Sequence, residues 1–365
     1  MVNKDTFCSY PFQSLFLETG GEVKPCCAME GSLGNIKTTP LKDIMEGKLA
    51  TEIRESISNG KWHPACIDCK VSESKGMESQ RSSSLHKFDE MKDIIHPEYF
   101  KLNDTDIRWS NTCNLSCTYC DSHFSSQWAK VKDDRVWIQP KSAPEQLIEY
   151  LEEHRETYKE ANLLGGEPLL LKPNLKLAET FPDIKFNVLS NLMAPLETNK
   201  IAQKLLELPN VQWQVSFETI GKRFEYVRHN GDWNVFQSNL KYIYERAGQL
   251  KAFPTYCVYS ALSLYEFCDY IYSTEYFDDY IWTGLVYPKE LDITLQTPFI
   301  KQRAIEEIDK VFYKYGDIPQ LKEFRRALEK RLSEPGADYT DYHHNIDRML
   351  GKDVVTEDLW PELIR

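Results

Sequence analysis

The placement of cysteine constrains this chain more than any other feature. Of ten cysteines, eight lie in the first 120 residues, in two groups. Cys8, Cys26, Cys27, Cys66 and Cys69 fall within the first 70 residues, and Cys113, Cys117 and Cys120 lie within eight residues of one another. Cys257 and Cys268 stand apart. Neither random placement nor core packing concentrates cysteine in this way. The N-terminus, Met1-Val2-Asn3-Lys4-Asp5, is polar and leads into no long apolar run, so a secretory signal is not expected. The expectation is a cytoplasmic protein, whose thiols stay reduced and are free for other uses.

The central group reads Cys113-Asn-Leu-Ser-Cys117-Thr-Tyr-Cys120, or C-x3-C-x2-C. Three thiolates on one short loop can hold three irons of a four-iron cube and leave the fourth without a protein ligand, whereas four cysteines close a cluster for electron transfer. A zinc site asks for four ligands, so the alternative is a three-cysteine zinc site completed by His123. Upstream, Asp106-Ile-Arg-Trp-Ser-Asn111 reads as a short strand. The cysteine loop would follow its C-terminal end, where barrel folds keep their chemistry.

This loop, with an aromatic residue before its last cysteine and a strand before its first, resembles the radical S-adenosylmethionine (radical SAM) superfamily. Leu164-Gly165-Gly166-Glu167-Pro168 resembles that family's GGE-P motif, which follows the second strand and meets the SAM amino group. Glycines there permit close backbone approach. Phe186-Asn-Val-Leu-Ser190-Asn191 is similar to the fourth-strand segment that contacts the SAM ribose or carboxylate. Val211-Gln-Trp-Gln-Val-Ser216-Phe-Glu218 is similar to the fifth strand, with Glu218 where relatives carry Asp. Arg228 falls where relatives often place an arginine near SAM, and Tyr119 would lie by the adenine through its backbone. The bland alternative for Ser190, Asn191, Ser216 and Arg228 is strand-end capping and surface charge. The resemblance implies that Cys113, Cys117 and Cys120 bind a 4Fe-4S cluster. It further implies reductive cleavage of SAM to a 5′-deoxyadenosyl radical, with an electron from a flavodoxin or ferredoxin.

The first 70 residues carry a second pattern: Cys8-x17-Cys26-Cys27, then Cys66-x2-Cys69. Between them, Leu41, Met45, Leu49, Ile53 and Ile57 recur in steps of four and predict one amphipathic helix that stops at Gly60. Four cysteines brought together there could ligate a whole cluster or form a zinc ribbon-like site. The run resembles the SPASM/twitch auxiliary-cluster modules. By that resemblance Cys8, Cys26, Cys66 and Cys69 are metal ligands, with Cys27 able to replace Cys26. The module precedes the barrel here, whereas in most relatives it follows, and its cysteines suffice for one auxiliary 4Fe-4S cluster.

Between about 105 and 295, β-like runs near 106–110, 161–164, 185–190, 211–217, 254–260 and 281–287 alternate with helical stretches such as 144–154 and 200–208. Strand–helix alternation implies a parallel sheet. The expected fold is α/β: a partial (β/α)6 TIM-like barrel, a small N-terminal cysteine-rich module and an α-helical C-terminal tail. The expected domains are 1–85 (module and linker, the Ser-rich stretch 72–84 reading as linker), 100–300 (barrel) and 301–365 (helical extension), which suits a 365-residue chain. Cys257 and Cys268, among aromatic neighbours, read as small buried hydrophobes, or as a hydrogen donor if one faced the barrel lumen. His343-His344 reads as a solvated helix surface.

Lys+Arg is 44 against Asp+Glu 56, a formal charge of −12 that argues against a nucleic-acid partner. A mean hydropathy of −0.51 and the lack of an 18-residue apolar run argue against a membrane one. The expected activity is a radical SAM oxidation of a peptide or protein side chain, assisted by the auxiliary cluster. The alternatives are a dehydrogenase or rearrangement enzyme acting on a small molecule (a sugar, aminocyclitol or nucleotide) and a non-catalytic iron–sulfur electron carrier.

Overall fold

The computed structural model describes residues 2–74, 78–138, 140–280, 283–284 and 288–364. They form two compact units, each assembled from several stretches of chain. The first comprises Met1–Thr112, Val136–Val188 and Glu207–Val211; the second comprises Cys113–Arg135, Leu189–Leu206 and Gln212–Arg365. The architecture is α/β with a mostly parallel sheet.

In the first unit, β1 (Ser14–Leu17), β2 (Glu22–Lys24) and β3 (Gly34–Asn35) form an antiparallel meander. β1 then pairs in parallel with β4 (Asp104–Ile107), in the register Ser14 to Asp104 and Leu17 to Ile107. β5 (Glu160–Leu163) and β6 (Lys185–Ser190) continue the parallel run. Strand side chains alternate between faces. Thr105, Ile107, Ala161, Leu163, Phe186 and Val188 are therefore fully buried, while Asp104, Asp106, Glu160, Asn162 and Asn187 share the other face.

The helix expected over Leu41–Ile57 is two helices, Leu41–Met45 and Lys48–Ser58. The break falls at Gly47, where a Cβ would lie 2.7 Å from the Asp43 carbonyl oxygen. Of the Ser-rich stretch expected as a linker, the described residues 72–74 and 78–84 are folded into the unit. Residues Ser82–Lys87 form a 3-10 turn, and the buried Arg81 side chain pairs with Glu73 and donates to the Lys4 and Phe7 carbonyls at 3.0 and 2.9 Å. Polar composition alone hid a residue that satisfies carbonyls near the N-terminus.

In the second unit, β8 (Leu250–Ala252) is flanked by β7 (Val211–Val215) and β10 (Phe277–Tyr280), all parallel, and β9 (Thr255–Tyr256) pairs with β11 (Thr283–Gly284). The run expected as strand over 254–260 ends early. Val258–Ala261 is a helix, started by the Ser260 hydroxyl, which accepts from the Cys257 N–H at 2.9 Å. Of the run expected over 281–287, only 283–284 are described; 281–282 and 285–287 lie outside the described residues. Phe217 anchors the core against Phe236, Phe267 and Phe277. The tail is helical, as its periodicity predicts: Pro298–Tyr315, Pro319–Lys330 and Thr340–Leu350. No helix among the described residues is long and apolar enough to cross a membrane.

Candidate functional site

The cysteine loop is built by hydrogen bonds to its own backbone. Ser125 caps the helix Ser126–Val131 and donates to the Leu115 carbonyl at 2.6 Å. Ser126 Oγ accepts from the Cys113 N–H, and Trp128 Nε1 donates to the Cys117 carbonyl at 2.8 Å. From the other side, the Ser116 and Thr118 N–H groups donate to the His229 and Val227 carbonyls at 3.1 and 2.8 Å. The loop around Cys117 is thus gripped by the helix that follows it and by the distant residues Val227 and His229.

Cys113 and Cys117 are buried and Cys120 is half-buried. Burial, followed by the neighbouring Cys117 and Cys113 thiols, holds the Cys120 thiol well above its ordinary range. Three thiols crowded into a dry loop repel as thiolates, and a bound cationic centre removes that penalty. Among the described residues, no three Cys, His, Asp or Glu side chains converge tightly enough to share a single metal ion. A cluster instead gives each thiolate its own iron.

Around the loop stand four of the residues singled out in sequence. Asn191, buried, donates to Asn114 Oδ1 at 2.9 Å and approaches Cys113 Sγ at 3.9 Å. Ser190 accepts from the Leu192 N–H through its hydroxyl and from the Ser216 N–H through its carbonyl, both at 3.0 Å. Arg228 is only 4 % exposed and lies against Cys117 Sγ at 4.0 Å. Glu218 takes a two-pronged bond from Arg228 (2.9 and 2.7 Å) and a third from the Tyr119 hydroxyl (2.9 Å). Capping describes part of what Ser190 does; surface charge does not describe Arg228.

Gly165, Gly166 and Glu167 belong to the first unit and pack on the residues that lead into the loop. The Gly166 and Glu167 N–H groups donate to the Ser110 and Thr112 carbonyls at 3.2 and 2.9 Å. A Cβ on Gly166 would lie 2.2 Å from the Thr112 oxygen, and Gly165 has φ +117. Gly166 therefore requires glycine for backbone contact, and Gly165 for its left-handed backbone angle. Glu167, buried, accepts from the Leu169 N–H at 3.1 Å.

The second cysteine group converges as well. Cys8, Cys26, Cys66 and Cys69 line one cavity, with Met29, Ile53, Ile57 and Trp62 among its other walls. The meander delivers Cys26, and a turn begun by His63, whose Nδ1 accepts from the Ala65 N–H, delivers Cys66 and Cys69. Burial raises the Cys8 thiol to about 12, and Cys66 and Cys69 add to the rise. Cys27 does not line the cavity; it is exposed and faces the charges of Asp106 and Arg108. Four thiols dominate the donor set around the cavity, with the His63 ring beside them and walls that are largely apolar, which suits an iron–sulfur cluster.

A model of the radical SAM superfamily matches residues 107–253, and one of an iron–sulfur cluster-binding domain (SPASM) matches residues 8–70. The chain thus carries a radical SAM domain. It is an enzyme whose iron–sulfur module precedes a partial barrel. Its radical SAM domain binds S-adenosylmethionine and a 4Fe-4S cluster, and its SPASM domain binds an auxiliary one. No curated protein matches the chain. Among solved structures, anSMEcpe with bound AdoMet is 14% identical over 68% of this chain and 67% of that one, at a TM-score of 0.44. SuiB of Streptococcus suis bound to S-adenosylmethionine is 14% identical over 73% and 64%, also at 0.44. TYW1 with a lysine-pyruvate adduct is 13% identical over 57% and 71%, at 0.34.

Sequence reasoning missed three features. His343, expected at a solvated surface, is buried and bonded to the Tyr259 hydroxyl at 2.8 Å, and its burial lowers it to about 4. The helix Thr340–Leu350 is amphipathic, and that periodicity was the available signal. Glu218, read only as standing where relatives carry Asp, is the acceptor that gathers Tyr119 and Arg228. The third feature is a polar row across β4, β5 and β6: Asn162 donates to Asp106 at 2.6 Å and Asn187 to Asn162 at 2.7 Å. Its signal was the alternation in Asp-Thr-Asp, Glu-Ala-Asn and Lys-Phe-Asn. Cys257 and Cys268 are buried, as their neighbours suggested.

Proposed function

We propose that this enzyme oxidises a side chain of a peptide or protein substrate, with a flavodoxin or ferredoxin as electron donor. The observation that carries the reading is the presence of two separate cysteine-rich sites in one chain. One is an eight-residue loop with three cysteines; the other is a cavity lined by Cys8, Cys26, Cys66 and Cys69. An oxidation that begins by hydrogen abstraction must lose a further electron and a proton, and a second redox centre suits that need. The peptide class is supported by the SPASM module, which commonly accompanies it.

Cys113, Cys117 and Cys120 would hold the SAM-binding cluster, and Cys8, Cys26, Cys66 and Cys69 the auxiliary one. When bound, SAM and the loop's cluster supply a 5′-deoxyadenosyl radical for hydrogen abstraction, and the auxiliary cluster supplies an electron acceptor. The chain's own residues orient and enclose. Buried Trp128 and Leu115 keep water from the loop, which protects reactive species. Asn191 fixes Asn114 beside Cys113. The backbones of Gly165, Gly166 and Tyr119, with Glu167, Ser190 and Ser216, are assigned to SAM contact, and Arg228 to its vicinity.

The test is anaerobic reconstitution. The protein is expected to take up about eight irons and eight sulfides and to release 5′-deoxyadenosine from SAM under dithionite. Deuterium from a labelled peptide should appear in that product. Uptake of about four irons would remove the auxiliary centre. Deuterium transfer from a sugar or nucleotide instead would replace the peptide reading.

A further inference from the structure

The departure from the family pattern at Glu218 has a structural consequence. Glu218 is 1 % exposed and accepts three side-chain hydrogen bonds from two residues. Arg228 Nε donates to Oε2 at 2.9 Å and Nη2 to Oε1 at 2.7 Å. The Tyr119 hydroxyl, on the cysteine loop and 99 residues away in sequence, donates to Oε1 at 2.9 Å. The Thr255 N–H approaches the same oxygen at 3.4 Å. With two of its nitrogens committed to Glu218, Arg228 turns the third, Nη1, toward Cys117 Sγ at 4.0 Å. Its guanidinium also lies over the Tyr119 ring, 5.7 Å from the centroid. The residues on either side of Arg228 grip the backbone on either side of Cys117.

Charges and hydrogen bonds at cluster sulfurs are what proteins use to set cluster potentials. A cluster that accepts an electron gains negative charge, so a buried cation beside a ligand sulfur favours the reduced form. A buried carboxylate behind that cation opposes it, and both effects are large where water is excluded. The extra methylene of glutamate over aspartate gives the carboxylate the reach to join Arg228 and Tyr119.

We propose that Glu218 and Arg228 form a balanced buried ion pair that sets the reduction potential of the cluster on Cys113, Cys117 and Cys120, and that the Tyr119–Glu218 bond clamps the cysteine loop. In this role Arg228 addresses a ligand sulfur, and Glu218 is a positioning residue that acts through it. The inference rests on the reading that this loop carries a cluster.

The experiment is a redox titration of the reconstituted full chain, followed by electron paramagnetic resonance, with iron content measured on each sample. Arg228→Gln leaves the carboxylate uncompensated, so the potential is expected to fall. Glu218→Gln leaves the guanidinium uncompensated, so it is expected to rise. Each change is expected to alter the reduced-to-oxidised ratio at fixed solution potential by about tenfold, which is about 59 mV for a one-electron couple. Shifts of opposite sign support the pair as the potential-setting device. Shifts of the same sign, or none, overturn it, because a purely structural role has no reason to follow the sign of the deleted charge.

The clamp has its own readout, iron loss to a chelator. Tyr119→Phe keeps the ion pair and is expected to lose iron several-fold faster than the parent; an unchanged rate overturns the clamp. Where the glutamine variants take up no iron, Arg228→Lys carries the charge test: its cation is retained, so its potential should stay near the parent's, and a fall as large as tenfold in the same ratio overturns the proposal. A parent chain that binds no cluster at this loop fails the functional reading itself, which is a different result from a bound cluster indifferent to these charges.

Discussion

The two cysteine sites reach similar chemistry by opposite routes. The loop Cys113–Cys120 places three thiols within eight residues of chain, so covalent connection does most of the gathering. The surrounding bonds from Ser125, Ser126 and Trp128 only fix the path. The cavity site draws Cys8, Cys26 and the Cys66/Cys69 turn from segments separated by tens of residues. There the gathering is done by packing: Phe7, Phe12, Met29, Ile53 and Ile57 form the core that brings the segments together. A contiguous site survives local change in its surroundings. A dispersed one depends on the fold and, when metal binds, stabilises the fold in return.

The sharpest break in this comparison is the combined replacement of Cys113, Cys117 and Cys120 by alanine. 5′-Deoxyadenosine formation should drop to the level of dithionite alone, as measured by chromatography, while the auxiliary iron remains. Cys66→Ala with Cys69→Ala should act on the other site. Iron content falls from about eight to about four per chain, SAM cleavage persists uncoupled from product, and the chain should unfold at lower denaturant. If product formation survives, the auxiliary site has no part in the oxidation.

A finer cut separates neighbours. Cys26→Ser should lose about four irons, whereas Cys27→Ser should keep them, because only Cys26 lines the cavity. Equal losses in both would mean that the two thiols exchange roles.

The smallest effect concerns pH, and here the two units differ in sign. Burial holds His343 neutral, at about 4 rather than 6.5. The unfolded chain therefore binds its proton first, and stability is lost as pH falls from 6.5 toward 4. Asp106 is raised to about 6, chiefly by burial and then, against the Asn162 bond, by the Asp104 charge. Its contribution is present below 3.8 and is lost as pH rises through 6. Either group is worth at most about 3 kcal/mol, read as the shift in urea midpoint across pH 4–7. Asp106→Asn should flatten the loss on the alkaline side. His343→Phe should flatten the acid side, although it also removes the Tyr259 bond.

Much of the fold was legible because strands and helices carry local periods. Helices expected at 144–154 and 200–208 are found at Ser142–Glu153 and Lys200–Leu206. The misreadings share a cause. The Leu41–Ile57 pattern is continuous in hydrophobicity, but Gly47 interrupts it for a backbone reason that periodicity does not register. The Ser-rich stretch looked free because Arg81, which ties it to the N-terminal carbonyls, is polar; composition counts a buried arginine as surface. Residues 254–260 looked like a strand because β-branched and aromatic residues suit a buried short helix equally well.

The candidate sites divide along the same line. The C-x3-C-x2-C loop and the two glycines of GGEP were readable because each is a local geometric demand: three thiols on one loop, a left-handed backbone angle at Gly165, and no room for a Cβ at Gly166. The sequence by itself determined those demands, the parallel α/β class and the existence of a second thiol group. Only tertiary structure decided that Cys26 and not Cys27 faces the cavity, that His343 is buried, and that Glu218 joins Tyr119 to Arg228 beside Cys117. The physical reason is range. Covalent spacing fixes neighbours a few residues apart, while contacts across tens or hundreds of residues exist only once packing has chosen which side of each element turns inward.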